Sequence, residues 1–245
     1  MSEAFEPRLG VGVCTLDEEE ALPRLCARIL GADDPADRAD VAVVADGGST
    51  DRTVDIARDR GAIVLATGRG RGLQLAEAGQ RLLDERADVL LFLHADCVPR
   101  LGALRALREA FVDPSVEAAA MRQLIEGEGR AYRWIEGAAN ARARRGMVYG
   151  DSGLAVRAEI YRAVGGFRRV PLFEDVDLSK RLRRRGTRIP VLEDAVLAIS
   201  SRRWEDEGVL RCTARNWILR GLFECGVPPA ALARLYRARS GRGTT

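Results

Sequence analysis

The stretch DVLLFLHADCVP, residues 88–99, decides the fold. Val89 to Leu93 are uniformly apolar, the pattern of a central strand covered on both faces in a parallel sheet. His94 and Asp96 follow at the carboxyl end of that strand, where open α/β sheets gather their ligand chemistry. Spaced two apart, they project to one side if extended geometry continues past Leu93. His94 is also the only histidine in the chain.

Working upstream, LGVGVCT (9–15), DVAVVAD (40–46) and AIVLA (62–66) read as three more strands. Asp17, with Glu20 three residues on, reads as the capping box of a helix carrying Leu22, Leu25, Ile29 and Leu30, with Pro23 confined to its first turns. GADDPADRAD reads as a polar loop, and GGSTD leads into a helix over about 52–60 that Gly61 stops. TGRGRG precedes a helix over about 73–86, and Pro99 reads as an early residue of the helix LGALRALREAF. This alternation over 9–112 predicts a Rossmann-like three-layer half.

Downstream the pattern is less regular. AAAMRQLIE (118–126) is a strand candidate, and 130–145 a helix with Trp134 and Ile135 toward the core. YGDSGLAVRAEIYRAVGGF holds a short strand, a helix and a glycine turn at 165–166; FEDVDLSKRLRRRG starts a helix at its acidic pair. A strand at 195–200 and helices over about 204–223 and 228–237 complete the chain. The expected class is α/β: a mostly parallel sheet with helices on both faces, in one large domain or two joined halves. The expected division is 1–112, 113–237 and a frayed basic tail, 238–245.

Composition narrows the function classes. Asp and Glu total 36 against 39 basic residues, a net charge of +3, too mild for the dense basic footprint of a nucleic-acid binder. Lys180 is the only lysine, so nearly every cation is an arginine fork suited to phosphate oxygens. Five scattered cysteines with no CxxC pair fit a reduced, cytoplasmic chain better than a disulfide or zinc scaffold. MSEAFEPRLG lacks the apolar core of a secretory signal, and no stretch reaches the roughly 20 apolar residues that span a bilayer.

Several constellations carry chemistry. Asp96 is a candidate ligand for Mg²⁺ or Mn²⁺ shared with diphosphate oxygens and water. His94 has several open readings: metal ligand, orienter of a water, ribose contact or satisfied strand-end cap. Asp46 ends a strand before GGSTD, and Thr15 and Asp17 occupy the comparable loop after the first strand. Binding of base or ribose and plain turn stabilisation are both open for Asp46, whereas Ser49, Thr50 and Asp51 read as caps. Arg69 and Arg71 in GRGRG sit where a diphosphate meets backbone amides and a helix N-terminus, although GxGxxG is absent. Glu174, Asp175 and Asp177 read either as dipole compensation or as the source of a general base, Asp175 foremost. Asp151 is a candidate for acceptor hydroxyls. Arg202 and Arg203 are candidates for phosphate, and Trp204 either lines a cleft or covers the core. The apolar helix around Trp217, Ile218, Leu219, Leu222 and Phe223 fits packing on the core, a second copy or peripheral membrane contact.

Together, TLDEE, VVADGGSTD, GRGRGLQLAEAG, LLFLHAD, YGDSGLAVR, GGF, FEDVDLSKRLRRRG and SRRWE, in this order over residues 9–237, resemble family 2 glycosyltransferases of the GT-A fold. The nearest look-alike is the small bacterial subgroup encoded beside radical-SAM or selenium-associated proteins. The resemblance implies a nucleotide-sugar site at Thr15, Asp17, Asp46 and Arg71, a UDP- or GDP-linked donor, Asp96 as the last acid of the metal motif, and a catalytic base at Asp175 with Glu174 beside it. His94 stands where the metal motif usually begins with Asp, and Asp17 where many relatives carry Asn. SRRWE in place of QxxRW, with no membrane channel, disfavours processive polymer synthesis. The implied reaction is inverting displacement at C1 onto a small-molecule or lipid-linked hydroxyl acceptor, in the cytoplasm or at the inner membrane face. The alternatives are a nucleotidyltransferase, whose basic glycine-rich loop after the first strand is missing, and a non-catalytic nucleotide-sugar binder.

Overall fold

The computed structural model describes residues 6–240, with side chains through residue 235. Its first half alternates as the sequence predicts: β1 (Leu9–Thr15), α1 (Leu22–Leu30), β2 (Val41–Asp46), α2 (Thr53–Asp59), β3 (Ile63–Ala66), α3 (Arg71–Asp84) and β4 (Val89–His94). Then follow β5 (Cys97–Pro99), α4 (Ala103–Val112), β6 (Ala118–Glu126), α5 (Arg130–Arg144), β7 (Leu154–Arg157), α6 (Ala158–Ala163) and α7 (Glu174–Arg185). The chain continues through β8 (Val191–Ser200), α8 (Arg202–Glu207), α9 (Val209–Glu224) and α10 (Pro229–Ser240).

All eight strands form one sheet in the order β3-β2-β1-β4-β7-β6-β8-β5. β1, β2, β3 and β4 are mutually parallel; β7 runs against β4 and β6, β5 runs against β8, and β6 pairs parallel with β8. Val89 to Leu93 are all buried, as a central strand covered on both faces requires. One core layer, including Val11, Leu25, Leu91, Leu104 and Phe111, lies under α1 and α4; the other, with Leu75, Leu90, Phe92, Tyr161 and Leu182, lies under α3, α6 and α7. This is an α/β GT-A-like architecture.

Several sequence expectations change. Asp17 does not cap α1: it has φ +53° and its carboxylate accepts from the Thr50 amide at 2.8 Å, while α1 begins at Leu22. Tertiary pairing between two loops displaces the local capping box. Pro99 is not in a helix; it ends β5, pairing opposite Leu197 on an edge strand, where a missing N–H is tolerated. The polar loop before β2 contains a 3₁₀ turn (Pro35–Asp37), and Asp37 is fully buried. Its oxygens accept from Gly102 N at 2.6 Å, Leu104 N at 3.0 Å and Arg105 N at 3.2 Å, so a distant loop caps α4, and Arg28 pairs with the same carboxylate at 2.5 Å. Trp134 is 59% exposed and Ile135 half-buried; Tyr132 turns inward in their place. The expected strand at 195–200 starts at Val191, and the helix over 204–223 is broken at Gly208, whose φ of +82° separates α8 from α9. The backbone of 238–240 continues α10; the rest of the expected tail lies outside the described residues.

The last helices roof one end of the sheet. Leu172, Leu219, Leu232 and Ala233 form a small third cluster, and Phe173 stacks with Phe223 at 4.8 Å. Lys180 ties α7 to α9 through Glu224 at 2.9 Å. Among the described residues no helix is long and apolar enough to cross a membrane.

Candidate active site

The carboxyl ends of the parallel strands open into two adjoining cavities. The larger, about 370 Å³, is lined by Thr15, Glu18, Arg69 and Gln74. The second, about 170 Å³, is lined by Tyr149, Gly150, Asp151, Asp175 and Trp204. Arg71, His94, Asp96, Leu172 and Arg203 line both. The convergence has a topological cause. After β4 the chain crosses to β5 at the far edge of the sheet, and Asp96 sits on that crossing. Its carbonyl accepts from Ser200 N at 3.2 Å, which fastens the end of β8, and with it the start of α8 and Arg203, beside the end of β4.

His94 packs against Gly150. A Cβ on Gly150 would lie 2.4 Å from His94 Nε2 and 3.3 Å from an Asp175 oxygen, so only glycine admits both side chains here. Burial first, and then the charge of Arg71, lower the imidazole pKa and favour its neutral form. Nε2 is buried without a hydrogen-bond partner among the described residues, which leaves that nitrogen available to a ligand.

Asp175 opens α7. It accepts from the Gly150 amide and, at 2.7 Å, from the Val176 amide. Burial, then the adjacent Glu174 charge, push its pKa up to about 7. Phe173, directly before α7, adopts a left-handed φ of +62°, a cost that recurs at functional sites. Glu174 itself is fully buried and pairs with Arg71 Nε at 3.2 Å. It lines neither cavity and acts as the charge partner that places Arg71.

The other candidates divide. Arg69 and Thr15 line the larger cavity, Asp151 and Trp204 the smaller. Asp151 accepts from Gln123 Nε2 at 2.7 Å, and Trp204 also packs against the core. Asp46 is wrapped by its own turn, accepting from Gly48 N and Ser49 N at 2.9 Å each and from the Ser49 hydroxyl. Asp17 and Asp46 line neither cavity. Arg202 also lies outside both, paired with Glu18 at 3.1 Å and Glu20 at 3.6 Å. Asp51 accepts from Thr53 N at 2.9 Å and steadies the start of α2. Burial and the Asp96 charge raise the Cys97 thiol pKa well above the ordinary value and so disfavour its thiolate.

Sequence reasoning missed Gln74, whose Nε2 donates to Thr15 O at 2.6 Å and Ala45 O at 2.9 Å and so holds the ends of β1 and β2 together. A polar residue between Leu73 and Leu75 on an apolar helix was the available signal. It also missed Glu18 on the wall of the larger cavity, and Tyr149.

The donor set fits a hard divalent cation in one manner. Among the described residues no group of three or more His, Cys, Asp or Glu side chains is arranged to hold a metal. Asp96 offers a carboxylate facing both cavities and His94 an unpartnered nitrogen. With so few protein donors, Mg²⁺ or Mn²⁺ would take the rest of its oxygen shell from diphosphate and water.

The family model for glycosyl transferase family 2 matches residues 11–169, well over half of the chain. The chain belongs to this family. No curated protein matches it. Among solved structures, this family 2 chain is similar to glucosyl-3-phosphoglycerate synthase from Mycobacterium tuberculosis in complex with Mn²⁺, UDP and phosphoglyceric acid, at 20% identity and TM-score 0.59, over 91% of this chain and 80% of that one. It is similar to the mannosyltransferase PcManGT from Pyrobaculum calidifontis in complex with GDP-Man and Mn²⁺, at 20% identity and TM-score 0.60, over 96% and 69%. S. aureus TarS 1-349, in complex with UDP-GlcNAc, matches at 18% identity and TM-score 0.61, over 79% and 58%. At these identities the likeness is one of fold.

Proposed function

We propose that this family 2 chain transfers a sugar, with inversion, from a nucleoside-diphosphate donor to a hydroxyl acceptor. The carrying observation is that Asp96 and Asp175 line one cavity together with Arg71 and Arg203. One acid is placed for a cation and the other, with a pKa near neutrality, for a proton.

In this reading the larger cavity takes the nucleotide and the smaller one the acceptor, so donor binding falls mainly to 1–112 and acceptor binding mainly to 113–237, with Arg71, His94, Asp96 and Arg203 on the shared wall. Asp175 removes the acceptor hydroxyl proton as that oxygen attacks C1 on the face opposite the nucleotide. The bond between C1 and the diphosphate oxygen breaks, and its electron pair leaves with the diphosphate. Arg71, held by Glu174, and Arg203 stabilise the charge that develops there. Mg²⁺ or Mn²⁺ on Asp96, with His94 as second donor or as ribose contact, would neutralise the leaving group. Positioning of the two reactants supplies much of the remaining rate. The motif order alone supports the narrower likeness to the radical-SAM- and selenium-associated subgroup.

The test is calorimetric titration of UDP-, GDP- and dTDP-sugars with and without Mn²⁺ or Mg²⁺. One donor should bind in a cation-dependent manner, and Asp96→Ala should weaken it roughly 10- to 100-fold. Cation-independent binding that survives Asp96→Ala removes Asp96 from the donor site, and no binding by any donor overturns the reading.

A further inference from the structure

A third cavity, about 100 Å³, opens beside the acceptor cavity and shares Tyr149, Asp151, Trp204, Asn216 and Arg220 with it. Its polar lining is unsatisfied to an unusual degree. Arg142, Tyr149, Trp204 and Thr213 all belong to its lining, and each carries a buried polar atom (Nε, Oη, Nε1 and Oγ1) with no hydrogen-bond partner among the described residues. Buried donors without acceptors are costly, so four on the lining residues of one small cavity point to a place that receives acceptor oxygens.

The charge there points the same way. The guanidinium of Arg142 lies 3.8 Å from the Tyr149 ring centre and that of Arg220 lies 5.4 Å from it. Neither forms a salt bridge among the described residues; besides the ring, Arg220 donates to Met147 Sδ at 3.2 Å. The one carboxylate on the wall, Asp151, is engaged by Gln123. Burial pushes the Tyr149 phenol up to about 12, which keeps its proton available for donation at neutral pH.

We propose that the acceptor carries an oxyanion, phosphate or carboxylate, which Arg142, Arg220 and Tyr149 grip in this side cavity while its hydroxyl reaches Asp175 in the adjoining one. The proposal rests on the glycosyl-transfer reading and names the acceptor class for that site. Guanidinium forks match planar or tetrahedral oxyanions, both arginines line this cavity, and the shared wall at Tyr149 and Asp151 joins the anion grip to the reacting end.

The molecule supplies its own probe. Trp134, Trp204 and Trp217 are the only three tryptophans in the chain, and all line this cavity. Intrinsic fluorescence should change saturably with glycerol 3-phosphate and with glycerate, and not with glycerol. Vesicles containing phosphatidic acid distinguish a lipid source of the oxyanion from a soluble one, and Arg142-dependent binding of either supports the proposal. Arg142→Gln and Arg220→Gln, each checked for native circular dichroism, should weaken anion binding at least tenfold. Equal responses to glycerol and the anions, or an anion response that depends on Arg69 and not on Arg142 or Arg220, overturn the proposal. Donor titrations in the same preparations separate the two readings. A donor that binds without an anion response defeats the acceptor proposal alone, and an anion response with no donor binding defeats the transfer reading.

Discussion

At the scale of single residues, Asp175, the proposed base, also carries a stability cost. Its pKa rises from 3.8 to about 7, so the folded state holds the proton more tightly than the unfolded chain does. The penalty for ionising it therefore grows as pH climbs above about 4 and is complete above about 7. A base with this pKa works in its ionised form, so kcat/KM should rise through about pH 7 and then level off. Asp175→Asn should lower kcat on the order of 10²–10⁴-fold while raising the unfolding midpoint at pH 8 by a few degrees, with little gain at pH 4. Rate profiles and thermal melts at the two pH values check both halves, and an equal stability change at pH 4 and pH 8 removes the buried charge as the cause. Gly150 completes the same corner, since its missing side chain lets a neutral imidazole and this carboxylate share one wall.

At the scale of elements, long-range capping does what local sequence signals do not. α4 has no side-chain cap from its own N-cap residue; Asp37, some 65 residues upstream, accepts from its first amides and pairs with Arg28. Asp37→Ala should cost about 3 kcal/mol of unfolding free energy, because it takes the carboxylate partner from the half-buried Arg28 guanidinium and leaves helix amides bare, with donor affinity unchanged. Denaturant unfolding and donor titration measure the two separately. The same contrast explains what could be read in advance. Val89 to Leu93 and Val41 to Ala45 were legible because burial on both faces leaves an apolar run bounded by turn residues, and β6 was legible from its buried start, Ala118 to Met121. β5 was not, since an edge strand of three residues ending in Pro99 carries no periodic pattern, and its pairing with Leu197 lies far along the chain. In the site, Asp96, Asp175 and Arg71 were legible from their places at strand and helix ends. Arg142, Arg220 and Gln74 were not, because which way a helical side chain faces depends on what the helix packs against, and abundant arginine hides the two of the proposed anion grip.

At the scale of the whole molecule, one sheet joins both halves of the chain, and the crossing from β4 to β5 carries Asp96 between them. Above that crossing, α9 and α10 close over Leu172, a residue on the wall of both main cavities. The roof is held at its edge by Lys180, which pairs with Glu224 and lies over the Phe223 ring at 4.6 Å. This is the chain's sole lysine, so an acylating reagent has one side-chain amine to find, and it sits on the seam between α7 and α9. Modification there should be slower than for a free lysine and faster in Glu224→Gln, read by mass spectrometry of timed samples; equal rates would mean that the seam stands open. An arginine-rich composition has left the chain with a single-lysine reporter, and its acylation rate reads the state of the seam between α7 and α9.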